Sequence, residues 1–242
     1  MKTYQEIEYE VNVWGFPKEP IETFIGQINA MTIVHTWIVM FLVAVLLIAA
    51  TRSMSLERPG KLQLIIEEIF QFLRGVTRDS LDAKKASLMM CFVFSLFMFI
   101  LISNLWGLIP TMYSPTADLN TTMGLALMVY GLTVVLGIYY KGLKYFKHFI
   151  QPFPFFLPLV IVEELAKPLT MAFRLYGNVY AGKVLVYVLL GLIPLTATLM
   201  GGFIASVIWL AFKIFISCVQ AYIFFVLTVT YTSQAIMEAD HH

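Results

Sequence analysis

The chain has 242 residues, of which 60% are hydrophobic and only 13% carry a charge. Soluble domains average about 45–50% apolar and about 25% charged residues, so this chain has more apolar side chain than a globule of its size can bury. The formal net charge of +1, without a basic stripe, excludes nucleic acid as a partner. We therefore expect an integral membrane protein whose solvent is the lipid bilayer.

The first 30 residues precede the first apolar stretch and are rich in acids. Met1–Glu22 contains two Lys and five Glu. This is the reverse of the basic leader of a secretory signal, so we expect the segment to remain in the mature protein. The sequence thus predicts an external N-terminal segment, 1–30, followed by a single membrane domain, 31–242.

Charge-free stretches predict where the chain crosses the membrane, because about 20 apolar residues span the hydrocarbon core. Three crossings are predicted at 31–51, 86–109 and 119–140. The last third of the chain is interrupted by charges, glycines and a proline. We expect it to form two long helices, 157–190 and 203–236, joined by a tight loop into a tilted hairpin. The predicted fold class is therefore all-α, a polytopic protein with five transmembrane helices.

The segment 61–81 differs from these crossings because it is amphipathic. Its apolar residues repeat at helical spacing, while glutamates, glutamines and arginines occupy the other faces. The apolar set is Leu62, Ile65, Ile66, Ile69, Phe72, Leu73 and Val76. We expect an interfacial helix that lies flat on the membrane rather than crossing it.

The distribution of cations predicts the orientation in the membrane. Seven lie between Arg52 and Lys85 and three within Lys141–Lys147, whereas Pro110–Thr122 and Gly191–Gly202 contain none. Because basic loops stay in the cytoplasm, the N-terminus is expected outside and the C-terminus inside.

Several charges remain within the last two helices, where each costs about 2.5–3.5 kcal/mol at the bilayer centre. They are Glu163, Glu164, Lys167, Arg174, Lys183 and Lys213. At 100° per residue, one face about 60° wide carries an acid, two bases, an amide and a small residue. These are Glu163, Lys167, Arg174, Asn178 and Ala181. A second polar stripe consists of Ser206, Lys213, Ser217 and Gln220. Two adjacent stripes indicate an aqueous ion path interrupted by one permanent cation.

Structural explanations of the same charges stand beside the functional one. Glu163 and Lys167, four residues apart, are spaced for a simple ion pair. Lys183 and Lys213 are alternatively explained as side chains that snorkel to the outer surface. Arg174 is harder to explain structurally, because it cannot deprotonate and has no acid three or four residues away.

Neither a catalytic constellation nor a metal-ligand spacing occurs in the sequence. There is no P-loop, no HExxH and no Gly-x-Ser-x-Gly. Cys91 and Cys218 lie in apolar runs, where thiols behave as small hydrophobic groups. We expect this chain to hold no cofactor or metal and to catalyse no reaction itself.

Four segments of the chain resemble subunit a of F-type ATP synthases, and the likeness extends over essentially everything after the first helix. The most specific is LAKPLTMAFRLYGNVYAG, with its Arg-Leu-Tyr-Gly-Asn core. The four are Leu165–Gly182, Ser103–Pro110, Ala117–Thr122 and Gln220–Tyr231. The resemblance implies a non-catalytic stator subunit of the CF(0) sector in a bacterial plasma membrane. It also implies a ring of c subunits, the peripheral-stalk b subunits and the remaining synthase as partners.

The resemblance further implies roles for individual residues. Arg174 is implied to face the ion-binding carboxylates of the ring and to separate two offset half-channels. Asn178 and Gln220 match positions that line the outer half-channel or support the arginine. Glu163, Glu164 and Lys167 lie toward the cytoplasmic half-channel.

The sequence departs from the family at two positions of the outer half-channel. The family often has an acid at the position of Lys183, and a histidine or an acid at that of Lys213. The coupling ion therefore stays open between proton and sodium. A secondary transporter or channel, in which Arg174 anchors an anionic substrate, is the alternative to a stator.

Overall fold

The computed structural model describes residues 21–23, 26–52, 60–81, 83–109, 112–142, 145, 155, 157–192 and 199–237. This described part consists of a short antiparallel strand pair followed by six α-helices and one 3-10 helix. The strands are β1 (Ile21–Thr23) and β2 (Gly26–Ile28). The helices are α1 (Ala30–Arg52), α2 (Lys61–Ser80), α3 (Ala83–Trp106), the 3-10 helix Pro115–Ala117, α4 (Leu119–Lys141), α5 (Leu157–Leu192) and α6 (Leu199–Met237). The protein is thus helical as predicted, except for the strand pair before α1, which the sequence analysis did not predict.

Each of the six predicted helices has a counterpart among these six. The largest shift of a helix end is at the start of α6, which begins at Leu199 rather than at 203. Residues 1–20 of the predicted external segment 1–30 lie outside the described residues. We call the end of the bundle with Arg52, Lys85 and Lys141 the inner end, because the cation pattern predicts that it faces the cytoplasm.

Four helices, α1, α3, α4 and α6, are long and apolar enough to cross a membrane. Helix α5 is more polar than these four, since its sequence contains two glutamates, two lysines and an arginine. It has 36 residues, about 54 Å at 1.5 Å per residue, which is long enough to cross the bilayer when tilted.

Helix α2 packs against α3 and α6 and leaves part of its apolar surface exposed. Leu73 is fully buried, and the Thr77 hydroxyl lies 3.9 Å from the Met90 sulfur of α3. The Phe72 ring lies 5.8 Å, centroid to centroid, from that of Tyr222 on α6, whereas Ile65 is 60% exposed. An amphipathic helix with outward apolar side chains has the surface that an interfacial position requires.

The core lies between α3 and the inner half of α6. Phe97 and Phe225 meet edge to face with ring centroids 6.3 Å apart. Val93 and Ile100 of α3 are completely buried, and so is nearly all of Phe224 on α6. The hairpin helices therefore pack on a rigid apolar support.

A buried polar cluster fixes the loop between α3 and α4 at the outer end. The Thr116 hydroxyl of the 3-10 helix donates to Asn104 Oδ1 of α3 at 2.7 Å. Asp118 accepts from the Thr32 hydroxyl of α1 at 2.9 Å and from the Asn120 backbone N–H at 2.9 Å. The carboxylate thereby caps α4 and ties it to α1.

Two hydroxyl contacts tie the inner end of α6 to its neighbours. Ser233 Oγ donates to the Ser80 carbonyl oxygen of α2 at 2.6 Å. Thr232 and Thr133 hydroxyls lie 3.2 Å apart in a buried contact between α6 and α4. The inner half of the hairpin is therefore fixed to two other elements.

Candidate functional site

Arg174 lies near the middle of α5 on a face that is open to the surroundings. Thr170, Gly177 and Ala181, which border or share this face, are exposed as well. Phe173 beside Arg174 is 54% exposed. Within the ranges that the structure describes, Arg174 makes no ion pair. The arginine is thus presented to whatever packs against the hairpin from outside the chain.

A cavity of about 310 Å³ opens between α4, α5 and α6 at the inner end. It is lined by Tyr130, Thr133, Tyr145, Val160, Glu163, Glu164, Lys167, Tyr231, Gln234 and Ala235. A second, more open cavity of about 290 Å³ shares four of these residues and continues along α5 to Thr170. Thr170 is about one helical turn from Arg174. The two cavities therefore lead from the inner end toward the arginine.

Glu164 is the hydrogen-bonding centre of the first cavity. Its Oε1 lies 2.5 Å from Lys167 Nζ, and its Oε2 accepts from the Tyr130 hydroxyl at 3.3 Å. The same ammonium lies 5.9 Å from the ring centroid of Tyr231. The alternative in which Lys167 forms an ion pair with Glu163 is therefore wrong, because Lys167 pairs with Glu164. Spacings of three and four residues both place side chains on one helix face, and the geometry selects Glu164.

The two polar stripes meet on the outer side of Arg174. Asn178 Nδ2 of α5 donates to Gln220 Oε1 of α6 at 3.5 Å. Gln220 is 5% exposed, and its Nε2 has no hydrogen-bond partner among the described residues. Ser217 is also buried and donates to the Lys213 carbonyl at 2.8 Å. The two predicted polar stripes are thus in contact at Asn178 and Gln220.

Lys213 reaches across the hairpin to α5. A Cβ atom built on Gly182 would overlap the Lys213 ammonium, so the lysine occupies the space that a side chain would fill. The contact places the Lys213 ammonium against α5. The side chain of Lys183 lies outside the described residues, and Ser206 is exposed on α6.

We expect Gly182→Val to displace the Lys213 ammonium and to lower the thermal stability of the complex, because overpacking costs about 1–3 kcal/mol. Thermal unfolding in detergent measures the effect. Gly131→Val on α4 is the matched control, since no atom lies within 4 Å of a Cβ at Gly131. Shortening the lysine in Gly182→Val/Lys213→Ala should restore the transition temperature. An equal loss in both glycine variants would contradict the contact.

Tyr130, Tyr231 and Gln234 are among the cavity residues that were not predicted from the sequence. They come from α4 and α6, and helical spacing within α5 carries no information about them. A tyrosine inside an apolar crossing, as at Tyr130, is the one signal that was available. Among the described residues, no group of three or more His, Cys, Asp or Glu side chains is placed to hold a metal ion.

Comparison with known proteins shows which family the sequence matches. The family model of the ATP synthase A chain matches residues 33–233. The chain is 45% identical to ATP synthase subunit a of Desulforamulus reducens, over 98% of this chain and 93% of the relative. It is 37% identical to ATP synthase subunit a of Bacillus subtilis, over 88% and 93%, and 39% identical to that of Enterococcus faecalis, over 78% and 84%. The resemblance found in the sequence is confirmed.

Proposed function

The chain belongs to the ATP synthase A chain family, and from that premise we propose that it forms two offset half-channels that meet at Arg174. As a family member it is the non-catalytic, proton-translocating stator subunit of the CF(0) sector, and other subunits synthesise ATP. It is a multi-pass protein of a bacterial membrane and associates with the c ring within the synthase.

The inner half-channel is supported by the two cavities at the inner end. Glu163 and Lys167 line both cavities, and the second cavity extends to Thr170. A path lined by carboxylate, ammonium and hydroxyl groups holds water more readily than the surrounding apolar helices do. We assign Glu163, Glu164 and Lys167 to this half.

The outer half-channel is supported by the contact between the two polar stripes. Asn178 and Gln220 supply amide groups one turn beyond Arg174, with Ser217 and Lys213 further along α6. The unpartnered Gln220 Nε2 is a buried donor that a water molecule can satisfy. Lys183 is assigned to the same half from its position on α5 alone.

The observation that carries the proposal is the position of Arg174, exposed and about one turn beyond the inner cavities. A ring carboxylate is neutral in lipid and ionises beside the guanidinium, because the opposite charge stabilises the anion. The arginine cannot itself carry a proton, so it separates the half-channels and prevents a direct leak. Each charge that crosses 100 mV releases about 2.3 kcal/mol, which loading and unloading convert into ring rotation.

The membrane topology completes the proposal. We place α1, α3, α4, α5 and α6 across the bilayer and α2 along its inner surface, with the N-terminus outside and the C-terminus inside. The b subunits of the peripheral stalk are further partners. The coupling ion is the proton, and sodium is the alternative.

Reconstitution tests the proposal against a transporter or channel. The complete synthase in proteoliposomes should make ATP from ADP and phosphate under an imposed proton gradient, and the chain alone should transport no solute. A sodium gradient imposed on the same vesicles, with a protonophore present, separates the two ions. Solute uptake by the chain alone would contradict the stator role, and synthesis that survives the protonophore would replace the proton by sodium.

A further inference from the structure

Two adjacent glutamates at the inner cavity differ in their surroundings. Glu164 is 9% exposed, and each of its carboxylate oxygens has a partner, Lys167 on one and Tyr130 on the other. Glu163 is exposed and lines both cavities. In the part of the chain that the structure describes, no hydrogen bond or ion pair is recorded for the Glu163 side chain. Glu164 thus has a partner on each carboxylate oxygen, whereas the Glu163 carboxylate is open to the cavities.

Lys167 lies between the two carboxylates. It lines the same two cavities as Glu163, which precedes it by four residues on the same helix face. Its ammonium nevertheless contacts Glu164 and faces the ring of Tyr231. Glu163 lies one turn away on the same helix face, so the choice between the two carboxylates depends on what holds the ammonium at Glu164.

We propose that Glu164 and Tyr130 hold the Lys167 ammonium away from Glu163, and that Glu163 is the carboxylate that exchanges the ion on the inner side. The proposal rests on the proposed function of an inner half-channel. Glu163 takes up one proton from the cavity water or the ring and releases one to the other, so it ends each transfer as it began. Glu164 and Tyr130 are positioning residues, since they act through Lys167.

The reverse assignment conflicts with the surroundings of Glu164. Protonating Glu164 would leave a mostly buried ammonium without its counter-charge, and losing one member of such a pair is costly. Glu163 loses no partner when it is protonated and borders the open cavity that reaches Thr170. The exchanging carboxylate is therefore the exposed one.

The experiment measures ATP-driven proton pumping by the intact synthase in proteoliposomes. Glu164→Gln should lower the initial pumping rate about tenfold, because the released Lys167 pairs with Glu163. Adding Lys167→Met should raise the rate several-fold above that of Glu164→Gln, since the competing cation is gone. A double variant that pumps no faster than Glu164→Gln would overturn the proposal, because Glu164 would then carry the ion itself.

Glu163→Gln should lower pumping about tenfold, and Lys167→Met should not restore it. A wild-type rate in Glu163→Gln would overturn the assignment of Glu163. If Arg174→Ala loses pumping in the same experiment, the proposed function still stands. Normal pumping in both variants would overturn the proposed function as well. The amount of assembled complex, measured on native gels, normalises every rate.

Tyr130→Phe tests the same link with a smaller change. It removes only the hydrogen bond to Glu164 Oε2 and should lower pumping about threefold, an effect that Lys167→Met should abolish. Tyr139→Phe is the matched control, because Tyr139 lies on the same helix and is 77% exposed. If Glu164→Gln does not assemble, Tyr130→Phe decides, and a rate equal to that of Tyr139→Phe would overturn the proposal.

Discussion

Arg174→Ala should abolish ion-driven ATP synthesis by the assembled complex, while the catalytic head continues to hydrolyse ATP. The loss should be about 100-fold or more, as when a charge-stabilising group is removed from a dry site. Without the guanidinium, nothing ionises the arriving ring carboxylate or separates the two half-channels. ATP synthesis under an imposed gradient and ATP hydrolysis are measured on the same preparation. The comparison shows whether synthesis is lost while hydrolysis is retained.

Arg78→Ala is the control for the loss of one cation. Arg78 is exposed in the last turn of α2. We expect this variant to make ATP at a rate within about twofold of the wild type, as is usual for exposed positions. Driven synthesis that persisted in Arg174→Ala at the Arg78→Ala rate would overturn the central role of the arginine.

Gln220→Leu should lower gradient-driven synthesis about tenfold. The change removes the acceptor of the partly buried Asn178 amide, which then lacks its partner on α6. It also places an apolar side chain in the outer polar path beside Arg174. Initial synthesis rates at a fixed gradient, normalised to assembled complex, measure the effect.

Gln71→Leu is the matched control for this substitution. Gln71 is exposed on α2, and its amide contacts only Glu67 of the same helix at 3.3 Å among the contacts described. The control should retain the wild-type rate. If Gln220→Leu were as active as Gln71→Leu, the contact between Asn178 and Gln220 would have no part in the ion path.

The helices were predictable because membrane insertion leaves a strong record in the sequence. A crossing requires about 20 residues with few charges, and such stretches predict α1 and α4 to within one residue and α3 to within three residues at each end. The common face of Glu163, Lys167 and Arg174 follows from helical geometry alone. The strand pair before α1 was not predicted, because segments of three residues are too short for a periodic pattern.

Contacts between helices were not predictable in the same way. Spacing could not decide whether Lys167 pairs with Glu163 or Glu164, since both lie within one turn. The answer depends on Tyr130, which approaches from α4 and holds the second oxygen of Glu164. The position of Lys213 likewise depends on Gly182 of the opposite helix, which leaves room for the ammonium.

The hydroxyl contacts at the inner end of α6 have a mechanical consequence. A ring that turns against the Arg174 face pushes sideways on the hairpin, and an equal reaction force must leave the chain elsewhere. Ser233 joins α6 to the end of α2, and Thr232 joins it to α4. The load is therefore shared with α2, which in the proposed topology lies along the membrane surface and would resist rotation by its contact with the lipid. In this view α2 is a lateral support that keeps the stator from turning with the ring.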